Sequence, residues 1–514
     1  MIVTAGFWLA VPSYADLNNA DEICLEVDDH QSKYGQLRSM SLAVRGALPS
    51  NAEIDALAAL DEIPQEWLEN WFSSDAYASQ VLRFFDSLLW PNITNNLLFS
   101  TTTQINGNPI WRRGAFPRSY RGDFVGCDDV PAEFDEVTGA ILTHNVDGNQ
   151  VEGYEMIAPY WAPDTLVKVC AFDAQRNEVS ASGNRCDTVQ GNGDAGCGCG
   201  PNLNWCANGV NNRVITESLA LDLQKRIFAL VKNDEPLTAL FSSSRAYVNG
   251  PLVHYYKHLS EVSARIPLNP LPFLEVDLPE LDFTQVDTWV EIELPSYHAG
   301  ILTSPLFLIR FQTNRARANN FYNAFMCQPF QPPPGGIPDV TGGAEIDPDL
   351  QVRHGCKYCH ALLEPAAAYW GRWSEGGAGY LSPADFPRVR EDCLRCAQTG
   401  AGCSQDCRRQ YIVETDHDNQ LPYLGLLNAY MFRRTEHETH VEQGPELLAL
   451  QAVVDNRFPR CMATRVASHL LGREIHADED AWIESIAHEF VQSGYKFKTL
   501  TQSVIQSETY RRLR

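Results

Sequence analysis

The chain has 514 residues, 44% of them hydrophobic, and its 40 basic against 65 acidic side chains leave a formal net charge of −25. That length exceeds what one compact core holds, and predicts several domains. The charge repels phosphate backbones and anionic lipid headgroups, which excludes nucleic acid and polyanionic surfaces as partners.

Residues 1–20 read as a signal or anchor segment. The apolar run from Ile2 ends at Ser13, Tyr14 and Ala15, a small-x-small pattern like a signal-peptidase site. It lacks the basic n-region of a leader, so a buried N-terminal strand is the other reading. Residues 35–93 form an N-terminal helical domain. Ser50 and Glu53 make a capping-box pair ahead of Ile54, Leu57 and Leu60, and Pro64 opens the next helix. Tyr77, Val81, Phe84, Phe85, Leu88 and Leu89 then recur at helical spacing. Over 94–212 the periodicity fades, Gly, Asn, Asp and Pro rise and cysteines cluster, which predicts an irregular Cys-rich region.

A helical middle domain follows at 213–296, with Leu219, Leu223, Ile227 and Leu230 on one face and a short strand from Trp289 to Leu294. Residues 297–440 form the next section. Within it, Pro332, Pro333, Pro334, Gly335 and Gly336 read as a linker ahead of a Cys-rich stretch. The last section, 441–514, carries helical runs near 445–455, 457–471, 479–493 and 497–511, with Gly472 placed as a C-cap. No stretch after the first reaches the roughly 18 apolar residues of a membrane span. The expected fold is therefore mainly α: several helical domains, a disulfide-rich irregular insertion and one cofactor-bearing domain.

The chemistry concentrates in Cys356, Lys357, Tyr358, Cys359 and His360. Two thiols at this spacing can add to the two vinyl groups of haem, and the adjacent histidine is then placed to bind its iron. The expected cofactor is one covalent haem c, held by Cys356 and Cys359 with His360 as proximal ligand, in a domain spanning 297–440. A disulfide beside an unrelated histidine, or half of a zinc site, is the bland reading of the same five residues. For the sixth iron position, Met431 is the first choice among only six methionines; it lies in an apolar, helix-like stretch with Leu424, Leu426 and Leu427. Its alternative role is filling a core gap. His417, His437, His440 and Met462 are the other candidates.

Cys393, Cys396, Cys403 and Cys407 make a CxxC followed by a CxxxC, which suits two disulfides in an oxidising compartment or a tetrahedral thiolate cage. Cys186, Cys197, Cys199 and Cys206 read the same way. Setting aside the two motif thiols leaves an odd number of the 15 cysteines, with Cys24 and Cys461 the isolated ones. His437, Glu438 and His440 lack HExxH geometry and read as a solvated helix face. There is no phosphate-binding Gly-rich loop and no GxSxG elbow.

Beyond this motif, the chain resembles a group of multidomain exported proteins, abundant in planctomycetes and myxobacteria, in which domains of unknown function surround a cytochrome c-type motif. Leu37, Arg38, Leu42, Gly46, Leu48, Pro49 and Glu53 are similar to that group's first helical domain. Tyr247, Val248, Asn249, Leu252 and Tyr255 resemble its middle domain. Ala299 to Thr303, Phe307 and Leu308, then Glu364, Pro365, Gly371, Arg372 and Trp373, resemble its haem-bearing domain. Cys461, Leu471, Gly472, Arg473, Ser493, Gly494, Tyr495 and Ser507 resemble its C-terminal signature. Glu364 replaces the usual Asp, His298 stands where Arg is usual, and the segment between Pro365 and Gly371 is shortened. The resemblance implies a secreted haem-binding protein and names no reaction.

The expected role is that of a periplasmic, secreted or envelope-located mono-haem cytochrome passing single electrons to or from a redox partner protein. Arg372 or Trp373 is placed near the haem by proximity in sequence. A haem enzyme of peroxidase or oxidoreductase type is one alternative, requiring an open iron position. A cell-envelope binding module with secondary haem is the other.

Overall fold

The computed structural model describes residues 30–94, 98, 103–107, 109–113, 125–209, 212–262, 278–331, 335–336 and 346–512. The signal or anchor segment expected over 1–20, Cys24, and Pro332 to Pro334 lie outside them. The described chain is mainly helical, about 49% helix with 13% strand, and none of its helices is long and apolar enough to cross a membrane.

Four helices open it: α1 (Lys33–Arg45), α2 (Asn51–Ala58), α3 (Gln65–Phe72) and α4 (Asp75–Leu89). The start of α2 is set by a reciprocal cap. The Ser50 hydroxyl accepts from the Glu53 amide at 3.2 Å and the Glu53 carboxylate accepts from the Ser50 amide at 2.7 Å. Glu53 also takes the Arg45 guanidinium, tying α2 to α1. Only Leu57 of α2 is buried; Ile54 and Leu60 face outward. Tyr77, Val81, Phe84, Phe85 and Leu89 form the buried stripe of α4. Each such side chain contributes roughly 1.5–3 kcal/mol by leaving water.

The section from 94 to 212 departs from the irregular structure expected of it. Its described residues hold strands β1 (Gln104–Gly107), β2 (Trp111–Arg113), β3 (Val125–Pro131), β4 (Glu133–Phe134), β5 (Ile141–Leu142), β6 (His144–Val146), β7 (Asn149–Ile157), β8 (Val167–Cys170) and β9 (Ala207–Asn208). Seven join one sheet in the order β3-β7-β8-β2-β1-β9, with β6 also against β7. Several are only two to four residues long and pair with distant partners, such as β1 with β9 and β2 with β8, and the nine-residue β7 buries Val151, Glu152 and Gly153 in succession instead of alternating, so period-two patterning does not mark the sheet. Disulfides Cys127–Cys170, Cys186–Cys197 and Cys199–Cys206 crosslink this part. A fully buried ion pair anchors it: Arg113 Nε donates to Asp173 at 2.8 Å, and its Nη2 to the Cys197 carbonyl at 2.7 Å.

Helix α5 (Asn212–Lys232) buries Leu219, Leu223, Ile227 and Leu230 as its spacing predicts. The expected strand is β11 (Val290–Glu293), paired antiparallel with β10 (Arg245–Val248). Then come α6 (Asn314–Met326), α7 (Lys357–Ala367), the short α8 (Glu391–Thr399) and α9 (Gln405–Gln410), and α10 (Thr435–Val454). Last are α11 (Arg457–Leu471), α12 (Asp480–Gln492) and α13 (Phe497–Ile505). Helix α10 breaks at Gly444, whose φ of 68° and ψ of −165° are non-helical, immediately before Pro445. Gly472 ends α11 in the left-handed conformation, its amide returning to the Ser468 carbonyl. One hydrophobic core links these sections, from Leu37 to Tyr510. Within it, the Tyr77 hydroxyl meets that of Thr501 at 2.9 Å, joining α4 to α13.

Cys461, expected to be isolated, is paired. It bridges α11 to Cys327 at the C-terminus of α6, with Cα atoms 5.3 Å apart, closing a separation of 134 residues. Sequence spacing cannot reveal such a partner. A Cys327→Ser, Cys461→Ser double variant is expected to lose about 4–5 kcal/mol of unfolding free energy, on the loop-entropy account, measured by denaturant titration of the oxidised protein. A loss below about 1 kcal/mol would contradict a stabilising role for this bridge.

Candidate functional site

The CxxCH motif opens α7. A turn places the Cys356 and Lys357 amides on the Arg353 carbonyl at 3.1 and 3.0 Å, and the Cys356 carbonyl then accepts from Cys359 and His360. Cys356 thus stands at the N-cap, with Cys359 and His360 in the first turn. Both thiols are partly exposed and free. They are the two cysteines without a disulfide among the described residues, where Cys393–Cys407 and Cys396–Cys403 complete six bridges. The four cysteines from 393 to 407 are thus disulfides and not a thiolate cage. The Cys359 thiol donates to the Gln331 carbonyl at 3.3 Å.

One turn further, Glu364 approaches His360. The Nδ1 to Oε1 distance is 2.8 Å. A carboxylate accepts, so Nδ1 is the ring nitrogen that donates in this contact, and Nε2 is not used by it. Glu364 also accepts from Arg315 Nε of α6 at 2.5 Å and from Arg433 Nη1 at 3.4 Å, while the Glu364 carbonyl takes a second bond from Arg433 at 2.7 Å. Its side chain is only 8% exposed. Burial alone would raise this carboxyl, but the hydrogen bonds from Arg315 and His360 and the Arg315 and Arg433 charges hold it below its ordinary value. Pro365 sits inside the helix, where it removes one backbone donor, and its carbonyl meets His440 Nδ1 at 3.0 Å. Tyr358 and Leu362 of α7 and Val352 just before it are exposed large apolar side chains.

The segment carrying Met431 meets this helix. Arg433 reaches Glu364, and the Phe432 carbonyl accepts from Gln351 at 2.9 Å. Met431 itself is half-buried and extended, following a single 3₁₀ turn at Asn428–Tyr430, not a longer helix. Of the other candidates for the sixth iron position, Met462 is fully buried in the α11 core. His417 caps a 3₁₀ turn by accepting from the Asn419 amide. His437 is buried, and His440 stacks on Tyr369 at 4.1 Å. The face with His437, Glu438 and His440 is therefore packed and paired, not merely solvated, with Glu438 on Arg388 at 2.7 Å.

Arg372 and Trp373 are core residues. Arg372 donates to the Phe386 carbonyl at 2.6 Å and to Tyr430 and Glu442. Trp373 is 1% exposed, against His298 and Tyr380. Sequence reading missed Arg315 and Arg433 as partners of the motif, and gave Glu364 no role beyond a family position. The i, i+4 spacing of His360 and Glu364 was a visible signal; nothing local marks the arginines.

A family profile described as "Protein of unknown function (DUF1585)" matches residues 445–510, the second part of α10 through α13. No curated protein and no solved structure matches the chain.

Two outcomes are expected here. In protein made without haem-attachment machinery, alkylation of the unfolded, unreduced chain labels Cys356 and Cys359 and none of the bridged cysteines, read by peptide mass spectrometry. Burial, aided by the Arg226 charge, pushes His298 down to about 3 from 6.5. The unfolded chain therefore takes up a proton between those values that the folded chain refuses, so stability falls as pH drops from 6.5 towards 3. Urea titrations across that window should show a shallower pH slope for His298→Gln, by up to ~1.4 kcal/mol per pH unit; an unchanged slope would refute the assignment.

Proposed function

We propose that this protein is an exported mono-haem c-type cytochrome that passes single electrons to or from a redox partner protein. Cys356 and Cys359 would hold the macrocycle through thioether bonds and His360 would bind the iron, within a haem-bearing section spanning 297–440. The observation that carries this reading is the sorting of the thiols. Every other described cysteine is in a disulfide, whereas these two stay free on one helix turn beside a histidine whose Nδ1 is engaged by Glu364. The bound haem supplies a one-electron iron couple.

The chain's own groups do the rest. The α7 turn spaces the thiols, and Glu364 orients the imidazole. Met431 remains the proposed sixth ligand, since its segment reaches the motif helix. The six disulfides suit an oxidising compartment outside the cytoplasm. The net charge of −25 favours a basic partner met by electrostatic steering, with association that slows as salt rises.

The chain expressed in an oxidising compartment with haem-maturation machinery should retain haem after denaturing extraction, and Cys356→Ala, Cys359→Ala should lose it. Absence of covalent haem while a control cytochrome matures correctly would overturn the proposal. In the haem-loaded protein, a six-coordinate spectrum supports an electron carrier, whereas an open iron position would favour the enzyme reading.

A further inference from the structure

Resting on that reading, we propose that Glu364 is a positioning residue for the iron ligand. Held in place by Arg315 and Arg433, its carboxylate takes the His360 Nδ1 proton in a hydrogen bond, aims Nε2 at the iron and lowers the reduction potential of the centre.

The geometry supports this in three ways. Glu364 and His360 are one turn apart on the same rigid helix, 2.8 Å between Oε1 and Nδ1, so the imidazole orientation is tied to α7 and not to a loop. A carboxylate partner makes a ligating histidine a stronger donor than a backbone carbonyl does, and stronger donation favours the oxidised iron. The two arginines come from separate parts of the chain, α6 and the segment before α10; Arg315 donates to the carboxylate, and Arg433 donates to the carboxylate and to the Glu364 backbone carbonyl. Both arginines donate to Glu364, so its carboxylate is fixed in place beside the His360 ring.

Charge then sets the sign of each substitution. Glu364→Gln keeps an acceptor of similar shape but removes a negative charge beside the ligand, so the potential should rise. Arg315→Gln removes a positive charge at a half-exposed position, leaves the carboxylate more available to His360, and should lower it. Charge alone gives the same two signs, so the position of the His360 proton is what separates positioning from a through-space effect.

The test is redox titration of haem-loaded wild type, Glu364→Gln and Arg315→Gln, with haem content fixed by denaturing spectra and folding by circular dichroism. Opposite shifts, upward for Glu364→Gln and downward for Arg315→Gln, are expected. Equal potentials, or shifts of the same sign, would overturn the proposal. Nitrogen-15 NMR of the haem-free chain supplies an independent readout. His360 should carry its proton on Nδ1 in wild type and lose that preference in Glu364→Ala; a wild-type proton on Nε2 would refute the positioning role. Failure of haem attachment in wild type with the expected tautomer present would instead count against the cytochrome reading.

Discussion

Arg315 and Arg317 stand two residues apart on α6, so they leave the helix on nearly opposite faces, and together they fix the segment that carries the candidate site. Arg315 reaches Glu364 in α7. Arg317, fully buried, donates to the carbonyls of Leu308, Phe311, Trp373, Ser374 and Gly377 and to the Asn314 side chain. A buried guanidinium without partners would cost several kcal/mol, and here backbone carbonyls from both sides of the motif helix satisfy it. Burial pushes its pKa down to about 9, which still leaves it charged at neutral pH. The C-terminal half of α7 and the chain beyond its end are thus bound to one helix, and the motif helix cannot swing away without exposing these charges.

Covalent bonds reinforce the same arrangement. The Cys327–Cys461 bridge joins the end of α6 to α11, so the helix that supplies both arginines is anchored to the C-terminal helices. Trp370, buried just past α7, donates to the Leu302 carbonyl at 3.0 Å. Arg433 approaches from the segment before α10. The candidate site is therefore assembled from parts far apart in sequence, although its two thiols and its imidazole lie within five consecutive residues.

Local signals in the chain were mostly realised. The Ser50 and Glu53 cap, the apolar stripes of α4 and α5, and the Gly472 stop each involve contacts within one or two turns, and such contacts are encoded by neighbours. The sheet between 94 and 212 was not read from the sequence, because most of its strands are short, its longest strand, β7, does not alternate in burial, and ladders such as β1 with β9 and β2 with β8 join residues far apart. Reading Cys461 as isolated failed for the same reason: a disulfide partner is chosen by the fold. Met431 was read within a helical stretch because Leu424, Leu426 and Leu427 suggested periodicity, but the chain there forms 3₁₀ turns and extended backbone. Arg372 and Trp373 lie close to the motif in sequence, and the fold buries both in the core.

By itself the sequence determined that two thiols and an imidazole share one helix turn, since residues at i, i+3 and i+4 face together whenever the segment is helical. It also placed an acid one turn beyond that imidazole. Tertiary structure decided which thiols stay unpaired, that the acid is buried and held in place by Arg315 and Arg433, and that the motif is tied to distant helices. Those outcomes depend on burial and on chain closure over long separations, and neither is encoded in any local run of residues.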